Sequence, residues 1–232
     1  MTKQNRRSIY ISRITISLIA LFVIIGNTNA ALPKKIAIQK RDSIPLMNGF
    51  AVSFDVVGAA MMQLGSSGQY EGGLRLNMRN KYFPTVELGY GKADETDITT
   101  NIHYTTKAPY MRIGMDFNLL KDKRSSNHFF IGFRYAYTSY KDNVSLPEFK
   151  DPVWGNNVNY SCLDNKCYYH WVEAVVGIDA KIYGPLHLGW SLRYRKRIAY
   201  DEGILGKSWY VPGFGKSNNS SLGGTFNITF DI

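Results

Sequence analysis

Apolar and polar positions alternate along most of this chain, most plainly over its final residues, "LGGTFNITFDI". There Leu222, Gly224, Phe226, Ile228, Phe230 and Ile232 share one face, and Thr225, Asn227, Thr229 and Asp231 share the other. A period of two belongs to a β-strand with one apolar and one polar side. Seven earlier segments repeat it. The first, from about Phe50 to Leu64, sets Phe50, Val52, Phe54, Val56 and Met62 against Ser53, Asp55 and Gln63. The second, Tyr70 to Arg79, sets Tyr70, Leu74, Leu76 and Met78 against Glu71, Arg75, Asn77 and Arg79. In the third, Tyr82, Val86, Leu88 and Tyr90 oppose Thr85 and Glu87; in the fourth, Met111, Ile113, Met115, Phe117 and Leu119 oppose Arg112, Asp116 and Asn118. The fifth opposes Phe129, Ile131, Phe133, Tyr135 and Tyr137 to Gly132, Arg134, Ala136 and Thr138. The sixth opposes Val172, Ala174, Val176, Ile178 and Ile182 to Glu173, Gly177, Asp179 and Lys181. The seventh opposes Leu188, Trp190, Leu192 and Tyr194 to Ser191, Arg193 and Arg195.

The connections alternate as well. Links near 80–81, 120–127 and 183–186 are short, while those at 92–108, 140–167 and 196–220 are long and polar; only 65–69 breaks the alternation. An even number of strands of about ten residues, joined by alternately short and long links, predicts an all-β fold: an eight-stranded antiparallel up-and-down transmembrane barrel of the outer-membrane type. The apolar rows then face lipid and the ionisable rows fill the lumen. That lumen set comprises Asp55, Glu71, Arg75, Glu87, Arg112, Asp116, Arg134, Glu173, Asp179, Arg193 and Arg195. Acids and bases are nearly balanced there, as a narrow interior requires. Counting from the turns makes Arg75 a diagonal neighbour of Glu87, and places Glu173 nearly opposite Arg195. Aromatics sort by strand end, Tyr82, Phe83, Phe129 and Tyr183 beside the short turns. Tyr90, Tyr110, Tyr137, Tyr140, Tyr168, Tyr169, Tyr194 and Tyr200 sit near the long loops, as two girdles would.

The front of the chain assigns a destination. Lys3, Arg6, Arg7 and Arg13 precede or open the apolar run from Ile14 to Ile25, and "TNA" ends at Ala30. This is the layout of a cleaved secretory signal over 1–30, the run being short for a membrane helix. Residues 31–48 carry two prolines and four cations without a period and are expected to form a periplasmic leader, leaving 49–232 as the barrel. Removing the four signal cations from the formal +10 leaves +6. A basic exported chain suits anionic lipid or glycan surfaces rather than nucleic acid, for which no motif is present. The two cysteines, Cys162 and Cys167, are expected to form a disulfide in an exported chain, closing a small loop; a metal reading with His170 is the weaker one.

"APYMRIGMDFNLL", "FFIGFRYAYTSY", "LHLGWSLRYRKRI" and "WYVPGFGK" together resemble a family of uncharacterised exported Bacteroidota proteins, known only as a domain of unknown function and thought to be outer-membrane barrels. The resemblance covers most of 50–232 and implies the fold, with no activity or site residues. The plan is also similar to small eight-stranded outer-membrane proteins, in which the last strand commonly ends on an aromatic read by the barrel-insertion machinery. Here the last residue is Ile232, with Phe230 two positions earlier.

An eight-stranded lumen has room only for side chains, so function falls to the outer loops or the rim. The expectation is a non-enzymatic barrel at the bacterial outer membrane, engaged in binding, adhesion or envelope integrity. Its partners would be lipid or lipopolysaccharide, the insertion machinery and a surface ligand, with no cofactor or metal. Arg195 and Arg197, with Lys207 and Lys216 in the same loop, form a candidate phosphate contact for lipopolysaccharide. Two alternatives stand beside it. One is a lipid-modifying enzyme using Ser191, His187 and Glu173, although no GxSxG is present. The other is a soluble lipocalin-like barrel with a greasy interior.

Overall fold

The computed structural model describes residues 45–150, 155 and 157–232; the expected signal segment and the leader as far as residue 44 lie outside the described residues. Eight antiparallel strands form a closed barrel. They are β1 (Phe50–Asp55), β2 (Ser67–Leu76), β3 (Tyr82–Thr96), β4 (His103–Asn118), β5 (His128–Lys150), β6 (Asn157–Tyr183), β7 (Leu186–Asp201) and β10 (Ser220–Asp231). A small hairpin, β8 (Tyr210–Val211) with β9 (Gly215–Lys216), lies in the link between β7 and β10. Each strand pairs with its chain neighbours, and β1 closes the ring by pairing with β2 and β10, with Ala51 opposite Asp231 and Asp55 opposite Asn227. Closure leaves no free sheet edge around most of the wall.

Alternation settles which side chains go where. Asp55, Glu71, Glu87, Arg112, Asp116, Arg134, Glu173, Asp179, Arg193 and Arg195 are buried inside the ring, while Leu88, Ile113, Phe133, Val176, Leu192 and Phe226, of the opposite parity, are exposed. The tight turn between β2 and β3 is made by Arg79 and Asn80, both left-handed, with Met78 bridging Tyr82.

Three departures from the sequence pattern have physical causes. The segment expected as one strand from Phe50 to Leu64 is β1 followed by a helix, α1 (Val56–Leu64). Its sequence, "VVGAAMMQL", ends the alternation and offers Ala, Met, Gln and Leu, good helix formers. The helix packs against β2 and β10, beside the Ser220–Phe226 half of β10 that β1 does not reach. Close approach is possible because Gly58 and Gly68 have no side chains: a Cβ at Gly68 would stand 2.2 Å from the Met62 nitrogen, and one at Gly58 2.8 Å from the Gln69 carbonyl oxygen.

Second, much of the long connections is strand. Pairing continues from Lys92 opposite Lys107 to Thr96 opposite His103, and β5 and β6 run on to Lys150 and from Asn157. The barrel wall is therefore prolonged as paired ribbon at the long-loop end.

Third, Cys162 and Cys167 are free thiols. Both sit on β6, Cys162 opposite Val144 and Cys167 opposite Tyr140 across a bulge at Asp164; four residues of β5 therefore separate their positions, roughly 13 Å at ~3.3 Å per residue. A disulfide needs less than about 7 Å. The expected loop is a strand, so the bridge cannot close; Cys167 is buried beside Asn165 and Ser208 instead.

The aromatics also divide by parity rather than by strand end alone. Tyr110, Tyr140, Tyr169 and Phe83 share the parity of the inward row and are buried, whereas Tyr90, Tyr135, Tyr168, Tyr183, Tyr194 and Tyr200 are exposed.

Candidate functional site: a charged lumen and its plug

The lumen is built from strand neighbours that present opposite charges at the same height. Arg134 on β5 forks onto Asp116 on β4, Nη1 donating to Oδ1 at 2.6 Å and Nη2 to Oδ2 at 2.9 Å. Gly132 makes room for this fork, since a Cβ there would fall 1.9 Å from Asp116 Oδ1. Arg134 also donates from Nε to Glu87 at 3.2 Å, and Arg193 donates to the other Glu87 oxygen at 2.7 Å. Arg193 reaches Glu71 at 3.1 Å. Glu71 in turn accepts from the Tyr110 hydroxyl at 2.6 Å and from Arg112 Nη1. Arg112 Nε lies 2.9 Å from Glu173, which accepts from Trp171 Nε1 at 2.7 Å and has Arg195 Nε at 3.4 Å. Four carboxylates thus meet four guanidiniums in one connected layer, and each ion has at least one opposite partner. That is the condition under which charge is tolerated away from water. Beside this layer, the space bounded by Glu87, Asp116, Arg134 and Arg193 is about 30 Å³, enough for a water or two.

Of the eleven residues assigned to the lumen from the sequence, ten are buried and Arg75 is half-buried. Glu173 pairs with Arg195 as its register predicts. Arg75 does not meet Glu87; it crosses the lumen to Asp179 at 2.5 Å, near the short-turn mouth. Asp55 stands apart, accepting from the Phe226 backbone N–H at 3.4 Å.

Above the charged layer, the loop "VPGFGK" folds back into the barrel. Gly213, with φ +82°, packs on the Tyr110 ring so tightly that a Cβ would lie 2.6 Å away. Phe214 is fully buried against Tyr169 and Trp171, with ring centroids 4.9 and 5.8 Å apart. The two plug carbonyls are held from below: Arg112 Nη2 donates to Gly213 O at 2.7 Å and Arg195 Nη1 to Phe214 O at 2.9 Å. The plug and the ion network are therefore one structure. Sequence pattern marks Arg112 and Arg195 through their parity, whereas Phe214 and Trp171 carry no signal of a plug beyond the turn residues Pro212 and Gly213.

The phosphate site expected on Arg195, Arg197, Lys207 and Lys216 does not form as one surface. Arg195 points inward, Arg197 lies over the Tyr200 ring at 3.8 Å, and Lys216 sits 5.6 Å from the Trp209 ring while Lys207 is exposed. Nor do Ser191, His187 and Glu173 meet. Ser191 is hydrogen-bonded to Thr225 at 2.7 Å, His187 faces Asp179 and Asp231, and Glu173 is held by arginines. Ser191 and His187 sit four residues apart on one strand, about 13 Å at ~3.3 Å per residue.

At the long-loop end lies a cleft of about 570 Å³ between the β3–β4 loop and the link after β7. Ile98, Ile102, Tyr104, Val144, Leu205 and Trp209 supply apolar wall, and Glu95, Asp97 and Lys207 supply charge. Tyr104 and Trp209 stand 5.9 Å apart and tilted, and the Tyr104 hydroxyl donates to Tyr210 O at 2.9 Å. Asp97 accepts from the backbone N–H of Thr99 at 2.7 Å and of Thr100 at 3.1 Å, which holds its carboxyl below the usual range and fixes the loop.

With that geometry in place, a family model described as "Domain of unknown function (DUF6048)" matches residues 11–232. The chain belongs to the DUF6048 family. No curated protein and no solved structure matches it. For this DUF6048 chain the site geometry is thus the basis of any functional reading.

Proposed function

We propose that this protein is a non-conducting outer-membrane β-barrel, exported through its signal segment and inserted by the barrel-insertion machinery, that presents the long-loop cleft to an external ligand. One observation carries the reading: around a closed ring, charged side chains are buried and large apolar ones are exposed. Water-soluble domains do not expose contiguous apolar belts of this kind, and a lipocalin-like interior would be apolar. Lipid, with lipopolysaccharide in the outer leaflet, satisfies the belt. With the lumen filled by ion pairs and capped by Phe214, the role is binding or envelope integrity rather than transport.

Ile113, exposed midway along β4, tests the orientation. Ile113→Arg should cost about 2–4 kcal/mol in vesicles if the residue faces hydrocarbon, and about 0.5 kcal/mol or less if it faces water. Urea unfolding in phospholipid vesicles, together with membrane fractionation, distinguishes the two. Recovery of the folded chain in the soluble fraction without detergent would end the proposal.

The cleft combines a Trp–Tyr wall with carboxylates and the hydroxyls of Thr96, Thr99 and Thr100, which suits a hydroxyl-rich ligand with apolar faces, such as a glycan. Surface oligosaccharides should change the emission of the wild-type protein and leave that of Trp209→Phe unchanged. Equal responses in both proteins would move the binding site elsewhere.

A further inference from the structure

The short-turn mouth brings together three residues from separate strands: His128 opens β5, Asp179 lies directly opposite it near the end of β6, and His187 is the second residue of β7. They are 7%, 1% and 1% exposed. His187 Nδ1 lies 3.6 Å from Asp179 Oδ1, and His128 Nδ1 lies 3.8 Å from Asp179 Oδ2. Suitable donor atoms of the three all fall within 4.8 Å of one another. His128 Nδ1, His187 Nδ1 and Asp179 Oδ1 are buried without a hydrogen-bond partner, which is costly at such a depth.

Surrounding groups fix the chemistry. His187 Nε2 lies 3.0 Å from Asp231 Oδ2, a contact suited to a proton on Nε2, which would leave Nδ1, 3.6 Å from Asp179 Oδ1, free to ligate. Arg75 occupies Asp179 Oδ2 and leaves Oδ1 open. Two imidazole nitrogens and a carboxylate oxygen thus stand within 4.8 Å of one another. From this convergence we infer a binding site for a divalent first-row transition ion, Zn²⁺ being the reference, held by His128, Asp179 and His187.

Two imidazoles and one carboxylate are the nitrogen–oxygen set that zinc and its neighbours take, whereas calcium and magnesium require more oxygens. With bonds of about 2.0–2.2 Å, tetrahedral ligand atoms stand roughly 3.3–3.5 Å apart; the His187 Nδ1–Asp179 Oδ1 contact of 3.6 Å is close to that, and His128, within 4.8 Å of both other donors, closes the set by a side-chain shift. Asp231 behind His187 is the outer carboxylate that orients a ligating histidine. A cavity of about 230 Å³, which His128, His187 and Asp231 also line, supplies the fourth position and an access route from the short-turn end. Arg75, Arg124 and Lys181 line the same cavity; their charge moderates affinity for a cation and favours an anion or hydroxide as the fourth ligand.

The test uses the full barrel, prepared without a histidine tag and stripped with chelator. Calorimetric titration with Zn²⁺ should give one ion per chain, and Co²⁺ should show the intense visible bands of a four-coordinate site. His128→Ala and His187→Gln should each weaken binding at least ~10-fold, and Asp231→Asn by ~10-fold. His103→Ala, at the other end of the barrel, should change nothing. Absence of stoichiometric Zn²⁺ binding to the folded wild type, or binding unaltered in the His128→Ala/His187→Gln double variant, overturns the site. Circular dichroism shows which variants fold. If none does, a weak six-coordinate Co²⁺ spectrum from the wild type overturns the site, and a four-coordinate one upholds it.

Discussion

Replacing Glu87 by alanine is expected to destabilise the barrel by about 3–5 kcal/mol, the cost of leaving buried charge without its partner. Glu87 accepts from both Arg134 and Arg193 and lies 3.5 Å from Arg112. Among the described residues, no other side chain joins the Asp116–Arg134 fork to the Glu71–Arg112 side of the layer through two arginines at once. Its removal leaves a net buried positive charge where water has little room. The matching double variant, Glu87→Leu with Arg193→Met, should recover part of the loss, because an apolar pair of similar volume avoids desolvation altogether. A surface comparison sets the scale. Lys141 and Asp164 are 2.9 Å apart but both exposed, so Asp164→Ala should cost no more than about 1 kcal/mol. Urea midpoints at constant slope measure all three. Equal costs for Glu87→Ala and Asp164→Ala would mean that the lumen is wet and the ion layer is not a structural core.

Strand number, parity and the inward placement of the charged rows were legible because period two leaves little freedom: once Arg134 is inside, Phe133 and Tyr135 are outside. The same rule applied strictly to Tyr110, Tyr140, Tyr169 and Phe83 would have placed them inside too; position along the strand alone could not. Residues 56–64 were misread because Val56 and Met62 fit either period, and the wall of the ring accepts a helix there only through the close approach that Gly58 and Gly68 allow. Partner choice across the lumen was less legible. Arg75 meets Asp179 from the far side of the ring rather than Glu87 on the adjacent strand, and no local register encodes a cross-lumen distance. The cluster of His128, Asp179 and His187 was hidden for the same reason: it draws on three strands, with no local metal-ligand spacing. Cys162 and Cys167 misled in the opposite sense, their short spacing suggesting a loop where β6 is extended.

The plug makes the second large effect. Phe214→Ala should cost about 3–5 kcal/mol, the range for truncating a fully buried aromatic. It removes the ring between Tyr169 and Trp171, and it loosens the two backbone carbonyls that accept from Arg112 and Arg195. Stability should therefore fall together with local order: protease should cut the 203–219 link far faster in the variant than in the wild type under folding conditions. Conductance separates the plug from the layer beneath it. Glu71, Arg112, Glu173 and Arg195 fill the lumen below Phe214, so planar-bilayer recordings should stay silent for both proteins. Channel activity in Phe214→Ala would mean that the loop alone seals the barrel and that the ion layer rearranges once the carbonyls leave. Steady current from the wild type would contradict a lumen closed by either device.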